Sequence, residues 1–277
     1  MSLQYDLHSH SRSSDGALSP SELVARAAAQ GVSHLALTDH DTTAGLAQAQ
    51  QAAQQLGINL INGIELSVTW NKHCFHIVGL NIAPDCPVLM TGMAKIQAIR
   101  WARVEKIANL LEKKKIFGSF AAVTQAAGQT GMITRSHFAD FLCQQQYVES
   151  EQAAFDTYLA EGKSAYVSTT WAGLDEAVSW INAAGGVAVL AHPMRYHLTM
   201  SWMKRFLTAF KDCGGRGIEV VTGRANPDEV RRAALLAQQF SLACSVGSDF
   251  HNPKNPWLEL GRLAPLPEHS QPVWDLF

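Results

Sequence analysis

The chain has no CxxC pair, and its five cysteines (Cys74, Cys86, Cys143, Cys213 and Cys244) are odd in number and scattered. That argues against a disulfide framework and a thiolate zinc site, and leaves buried reduced thiols. No apolar run is long enough to span a membrane, and the N-terminus turns polar without an apolar leader. A cytoplasmic location with no membrane partner is therefore expected. An excess of one charge is missing too. Lys and Arg number 22 against 24 Asp and Glu, for a net charge of −2 with neutral histidines. No global field would draw nucleic acid or a lipid surface, so any basic surface must be local. There is no repeat, low-complexity tract, long linker or DNA-binding module signature. What is present is 277 residues, 47% of them hydrophobic, enough for one large domain or one domain with an insertion.

The first third alternates strand and helix. Residues 3–10 read as a short strand. The helix over residues 19–31 is well punctuated: Ser19 suits the N-cap, Pro20 the first turn, Glu22 closes a capping box and Gly31 ends it. A second strand lies in residues 32–41, a second helix ends at Gly57, and strands three and four follow in residues 58–67 and 74–82. From about Met93 to Gly162 only helical signals occur, beginning with a long, basic, amphipathic helix. Alternation resumes after Gly162 with three further helix–strand pairs. Seven strands with intervening helices predict a parallel α/β sheet. The expected organisation is a barrel in two parts, 1–92 and 166–277, interrupted by a helical insertion over 93–165.

Closure into a barrel is preferred over an open sheet because polar residues gather at the ends of many different strands, where barrel active sites are built. Strand one ends in His8 and His10, which share a face because strand side chains alternate. Asp15 follows in a Ser- and Gly-rich loop. Strand two ends in Asp39, His40 and Asp41, and strand three in Glu65. Strand four carries His76. Strand five ends in His192, strand six carries Glu219, and strand seven ends in Asp249 and His251. Six of the eleven histidines thus lie at or near strand ends. A lone histidine in an apolar run is usually a core residue, but this joint placement at one mouth calls for cations to neutralise it. With no thiolates, the donor set suits manganese, iron or zinc, and nine candidate ligands suit more than one ion. Asp39 is expected to orient a ligand or cap a helix, and Glu219 to support a ligand or simply charge a strand end. His34, His73 and His269 are given no role.

The stretches "HSHS…SDG", "LALTDHDT", "GIELS", "CFHIVG", "AHP" and "GSDFH" resemble, in order and over nearly the whole chain, the PHP (polymerase and histidinol phosphatase) family. The resemblance implies a distorted (β/α)7 barrel, a TIM-like α/β fold holding two or three divalent ions. It implies that His8, His10, Glu65 and Asp249 surround one ion, that Glu65 bridges to a second held with His76 and His192, and that Asp15, His40 and His251 hold a third. Asp15, His40, Glu65, His192 and His251 would be the catalytic members of this set, with manganese the expected metal.

Such ions supply a hydroxide near neutral pH and neutralise phosphate oxygens, so phosphoester hydrolysis follows; amide hydrolysis would need a different pocket. The insertion bears on the choice. Arg135, Ser136 and His137 open a helix, where backbone amides and an arginine can form an anion site, although ordinary capping explains the same residues equally well. Lys163, Arg195 and Arg224 add cations where the chain returns to the mouth. Lys95, Arg100, Arg103, Lys106 and Lys113–Lys115 make the long helix basic, read as a solvated face or as an electrostatic track for RNA. The barrel with an "RSHFA" insert resembles the subgroup acting on 3′,5′-nucleoside bisphosphates and on the 5′ ends of short RNA. Under that resemblance Arg135 and His137 hold the 5′-phosphate or sugar. The alternatives are a histidinol-phosphate phosphatase and a metal-binding protein without turnover.

Overall fold

The computed structural model describes residues 4–128 and 132–277. The first strands are β1 (Tyr5–Asp6), β2 (His34–Leu37), β3 (Asn59–Trp70) and β4 (His73–Leu80). After the insertion come β5 (Ala172–Gly173), β6 (Val187–Leu190), β7 (Gly217–Thr222) and β8 (Ala243–Gly247). They form one sheet in the order β1-β2-β3-β4-β6-β7-β8, with β5 paired to β3. The two ends of this seven-strand path meet: Leu7 N donates to Val246 O at 3.0 Å and Asp249 N to His8 O at 2.8 Å. The sheet is thereby a barrel, as expected. Leu7, Ala36, Ile61, Val78, Val189 and Ala243 come from around the ring and pack into one buried cluster.

The expectation of an all-parallel sheet is corrected at β4, which runs antiparallel to both β3 and β6. The cause is local. β3 and β4 are joined by Asn71 and Lys72 alone, with φ of 45° and 67°. Positive φ at both central residues gives a tight hairpin whose twist matches its strands, so the chain reverses with no crossover helix.

Outside the barrel lie α1 (Pro20–Ala29), α2 (Leu46–Leu56), α7 (Leu174–Ala183), α8 (Met200–Asp212) and α9 (Pro227–Phe240) once the insert helices are set aside. The capping box at α1 is made: Ser19 N donates to Glu22 Oε2 at 2.8 Å, and Glu22 N to Ser19 Oγ at 3.3 Å. Its apolar stripe, Leu23, Val24 and Ala27, is buried on the barrel side.

The insertion consists of α3 (Pro87–Glu112), α4 (Ser119–Ala127), α5 (Arg135–Gln144) and α6 (Glu151–Ala154), the last running on into a π-turn over Phe155–Leu159. The expected boundary at residue 93 falls inside α3. Leu89, Met93 and Ile96 pack with the barrel's outer core, whereas Val104, Ile107 and Leu111 pack with Phe138, Leu142 and Leu159 in a core of the insert's own. One helix is therefore rooted in the barrel and carries the insert across the mouth.

Candidate active site

The strand ends converge as their spacing implied. β1 stops at Asp6, but the chain stays extended beyond it, with Ser9 bridging to Phe250 and Asp249 N bonded to His8 O. His8 and His10 therefore still face one way, their Nε2 atoms 3.0 Å apart. Because β4 is antiparallel, its N-terminal half lies at the mouth, and His76 sits opposite Ser67 near Glu65. His192 and Asp249 follow β6 and β8 with φ of 30° and 56°. Left-handed backbone at non-glycine residues is held only where surrounding structure fixes it, and it turns both side chains into the mouth.

Glu65 is the centre. Its Oε1 lies 3.0 Å from His76 Nδ1 and 3.2 Å from His192 Nε2, and its Oε2 lies 3.0 Å from His40 Nδ1, 3.2 Å from His10 Nε2 and 3.3 Å from His8 Nε2. Burial alone would raise the Glu65 carboxyl, yet the imidazoles, His40, His8 and His76 foremost, hold it well below the usual range. Burial opposes charge on Asp249 and Asp15 too, and their histidine neighbours likewise keep both depressed. Three groups bring donor atoms within 4.8 Å of one another: His10, Asp15, His40 and His251; His8, His10 and Asp249; His40, Glu65 and His76.

These residues fit divalent ions. His10 Nδ1 and His192 Nδ1 are buried without a hydrogen-bond partner, and His40 Nδ1, His76 Nδ1 and Glu65 Oε2, though within ion-pair distance of one another's groups, make no well-aligned hydrogen bond. Five imidazoles around one carboxylate cannot be satisfied by that carboxylate, and orphaned polar atoms are costly in a protein interior. Two imidazoles are also held in ligand-ready tautomers. His8 Nδ1 donates to Glu219 Oε1 at 2.6 Å, and His251 Nδ1 donates to the Asp249 carbonyl at 3.0 Å, which leaves each Nε2 facing the carboxylates. All nine sequence-predicted ligands are thus brought together. His10 and His40 each stand in two of the compact groups, and His76 and His192 share Glu65 Oε1.

The supporting carboxylates were less legible. Glu219 also accepts the backbone amide of His192 at 2.6 Å, so it positions two strands' worth of candidate ligands. Asp39 accepts Ser11 N at 2.7 Å and the Ser11 and Ser14 hydroxyls at 2.6 Å each, which fixes the loop that presents Asp15. Asp41 accepts Ser67 N at 2.7 Å and Arg100 Nε at 2.7 Å.

Arg100 and Arg103 depart from the solvated-face reading of α3. Arg100 is buried on Asp41 and Ser67 and lies 4.9 Å from the Trp171 ring centroid. Arg103 lines a lobe of about 390 Å³ that also contains Glu65, His76, Arg135, Tyr166 and Trp171. Its Nε is buried without a partner. Burial, with Arg135 and Arg100 close by, pulls the Arg103 guanidinium down to about 9. Arg135 is depressed by burial as well. Crowded guanidinium groups, one with an unpaired buried Nε, beside a candidate metal cage are the chemistry of an anion site. The signal for Arg103 was its place eight residues before Leu111 on the inner stripe of α3, which a run of lysines and arginines hides.

The other expected substrate residues are spread. Ser136 and Arg195 border this inner lobe and a larger outer lobe of about 910 Å³, while His137 and Arg224 line only the outer one. Thr134 caps α5, and His137 Nδ1 accepts Thr134 N at 3.1 Å, so His137 takes part in that cap. Arg195 is ion-paired with Asp249. Lys163 is exposed in the turn after the π-segment and lines neither lobe.

A closed α/β barrel with buried carboxylate–imidazole cages at its mouth is the architecture of a metal-dependent phosphoester hydrolase. The PHP domain model matches residues 6–184, and the chain belongs to that family. It is 43% identical over 277 residues, all of both chains, to a 5′-3′ exoribonuclease of Haemophilus influenzae. It is 44% identical over 269 residues, 97% of this chain and 94% of the relative, to a 3′,5′-nucleoside bisphosphate phosphatase of Chromobacterium violaceum. A solved amidohydrolase from Chromobacterium violaceum, with bound sulfate and no metal, superposes with a TM-score of 0.94 at 43% identity, covering 99% of this chain and 96% of that one.

Proposed function

We propose that this enzyme removes the 3′-phosphate of 3′,5′-nucleoside bisphosphates and, by the same chemistry, releases 5′-mononucleotides from the 5′ ends of short RNA. One observation carries the reading: Arg103, whose buried Nε has no partner, and Arg135 share a lobe with the Glu65 cage, so two anion-binding places lie side by side. A substrate with two phosphates on one nucleotide fits that pair, and the names of the two relatives agree with it. A histidinol phosphate would leave the arginines without a partner.

His8, His10, Asp15, His40, Glu65, His76, His192, Asp249 and His251 would hold two or three divalent ions; the nitrogen–oxygen donor set suits manganese, iron or zinc, and manganese is the metal the family resemblance points to. When bound, such ions supply a water of lowered pKa and neutralise the phosphate. The chain's own residues do the rest. Arg103 and Arg135 bind the 5′-phosphate. Phe155 and Trp171 wall the lobe against water, and Arg195 sits beside Asp249 where the scissile phosphate would lie. Water oxygen bonds to phosphorus, the phosphorus–O3′ bond breaks, and a proton passes to O3′. The nucleotide departs with a free 3′-hydroxyl and its 5′-phosphate. The insert over 93–165 acts as the lid of this site.

The test is phosphate release from mono- and bisphosphorylated nucleotides and from histidinol phosphate, with manganese added. Arg135→Ala should lower kcat/KM for a 3′,5′-bisphosphate by roughly ten- to a hundredfold, the value of a charge-assisted contact of about 1.5–3 kcal/mol. A 3′-monophosphate should be nearly indifferent. Equal losses on both substrates, or faster turnover of histidinol phosphate, would overturn the assignment.

A further inference from the structure

A nucleoside bisphosphate is accounted for by the cage and the inner lobe, which leaves the outer lobe without a use. That lobe has two unlike walls. On the barrel side it is lined by Arg12, Arg224 and Lys254, all exposed. Arg224 and Lys254 make no ion pair among the described residues, and the nearest carboxylate to Arg12, on Glu22, is 4.0 Å away. On the insert side it is lined by Asp140 and Glu151. A phosphate chain in the lobe would be repelled from the second wall and held on the first.

The rim carries a second feature. Trp257 is 80% exposed, more than any other large hydrophobic side chain described. Its neighbours Asn255 and Leu258 line the lobe. The loop beneath it is stiff. Pro253 and Pro256 each fix a φ angle, Lys254 N donates to Asn252 Oδ1 at 2.9 Å, and Trp257 N donates to Asn255 Oδ1 at 3.2 Å. The indole is therefore presented to water by a preorganised turn that also carries Lys254 on the wall of the lobe. Cations that track a backbone together with an aromatic on which bases stack are what a single-stranded nucleic-acid groove consists of.

We propose that the outer lobe is a subsite for the RNA strand continuing 3′ of the scissile phosphate, with Arg12, Arg224 and Lys254 on its phosphates and Trp257 stacked on a base. This rests on the RNA half of the function proposed above. The inner lobe takes the terminal nucleotide and the cage takes the phosphate that follows it. The outer lobe opens from the same cage, since Asp15, Asp249 and His251 border both. Every base offers a face for stacking, so the subsite selects for strand length and not for sequence.

The experiment measures kcat/KM for 5′-phosphorylated di-, tetra- and hexaribonucleotides and for a 3′,5′-bisphosphate, using metal-loaded wild type, Trp257→Ala, Trp257→Phe and Lys254→Ala. Wild type should gain rate with length. Trp257→Ala should lose about tenfold on the longest strand, the effect of one base–aromatic stack, and so flatten the length dependence, while bisphosphate hydrolysis stays within about twofold. Trp257→Phe should restore most of the loss, and Lys254→Ala should make the salt dependence of RNA KM shallower. Length-independent rates in wild type, or equal effects of Trp257→Ala on RNA and bisphosphate, would overturn the subsite. So would wild type that hydrolyses bisphosphate but no RNA. Wild type inert on both substrates would overturn the parent reading, and the subsite with it.

Discussion

Glu219 shows how much of this site depends on residues that would never touch a substrate. One carboxylate oxygen holds His8 Nδ1 and the other holds the backbone amide of His192. Glu219→Gln keeps the shape but turns an amide NH₂ toward one of two donors. Metal affinity should fall about 10–100-fold, as loss of such a partner typically costs, read by competition with a chelator. Unchanged affinity would reduce Glu219 to a strand-end charge. Gly247 is a steric counterpart. A Cβ there would lie 2.3 Å from His8 Cβ, so Gly247→Ala must displace the histidine. Metal content and activity should drop together, with elemental analysis as the check. The nine candidate ligands were legible in the sequence because donor chemistry resides in residue type. Glu219 was only half legible, since a carboxylate at a strand end looks the same whether it orients a ligand or faces water.

At the scale of elements, α3 is both a barrel helix and the stem of the insert. Arg100 fixes it in place by bonding Asp41 and Ser67, the residues beside His40 and two beyond Glu65. The insert then packs its own core, in which Phe138 is fully buried. Phe138→Ala should cost about 3–5 kcal/mol of the insert's stability, the usual range for an emptied phenylalanine site. Because that core is separate from the strands carrying the cage, KM for the bisphosphate should rise while metal content holds. Loss of metal in parallel would mean that insert and cage fold as one unit. The helices of the insert could be read from caps and periodicity. The inward face of α3 could not, because an arginine paired in the interior and one in solvent have the same local pattern.

At the scale of the molecule, the chain's two ends are tied across α1. Arg26 on α1 grips Glu259 through two hydrogen bonds of 2.8 and 2.6 Å. The bond from Arg26 is the main reason the Glu259 carboxyl is held below its ordinary value. A depressed acid stabilises the fold above its unfolded pKa of about 4.3, and that contribution is lost as pH falls through the lower folded value. Glu259→Gln should therefore cost about 1 kcal/mol near pH 7, and the gap from wild type should close in acid. Thermal melts over a pH series would show it; a gap independent of pH would assign the effect to packing. No helix described is long and apolar enough to cross a membrane.

The sequence by itself determined the strand–helix alternation, the caps, the helical character of the insert's described residues and the identity of the candidate ligands. Each of these follows from side-chain chemistry or from periodicity over a few residues. Only the tertiary structure decided that β4 reverses, which brings His76 to the mouth from a mid-strand position. It alone decided that five imidazoles crowd one carboxylate and that Arg103 faces inward while Lys163 does not. These outcomes depend on distances between segments far apart in the chain. Such distances are set by how the barrel closes and how α3 leans over it, and no local pattern of residues encodes them.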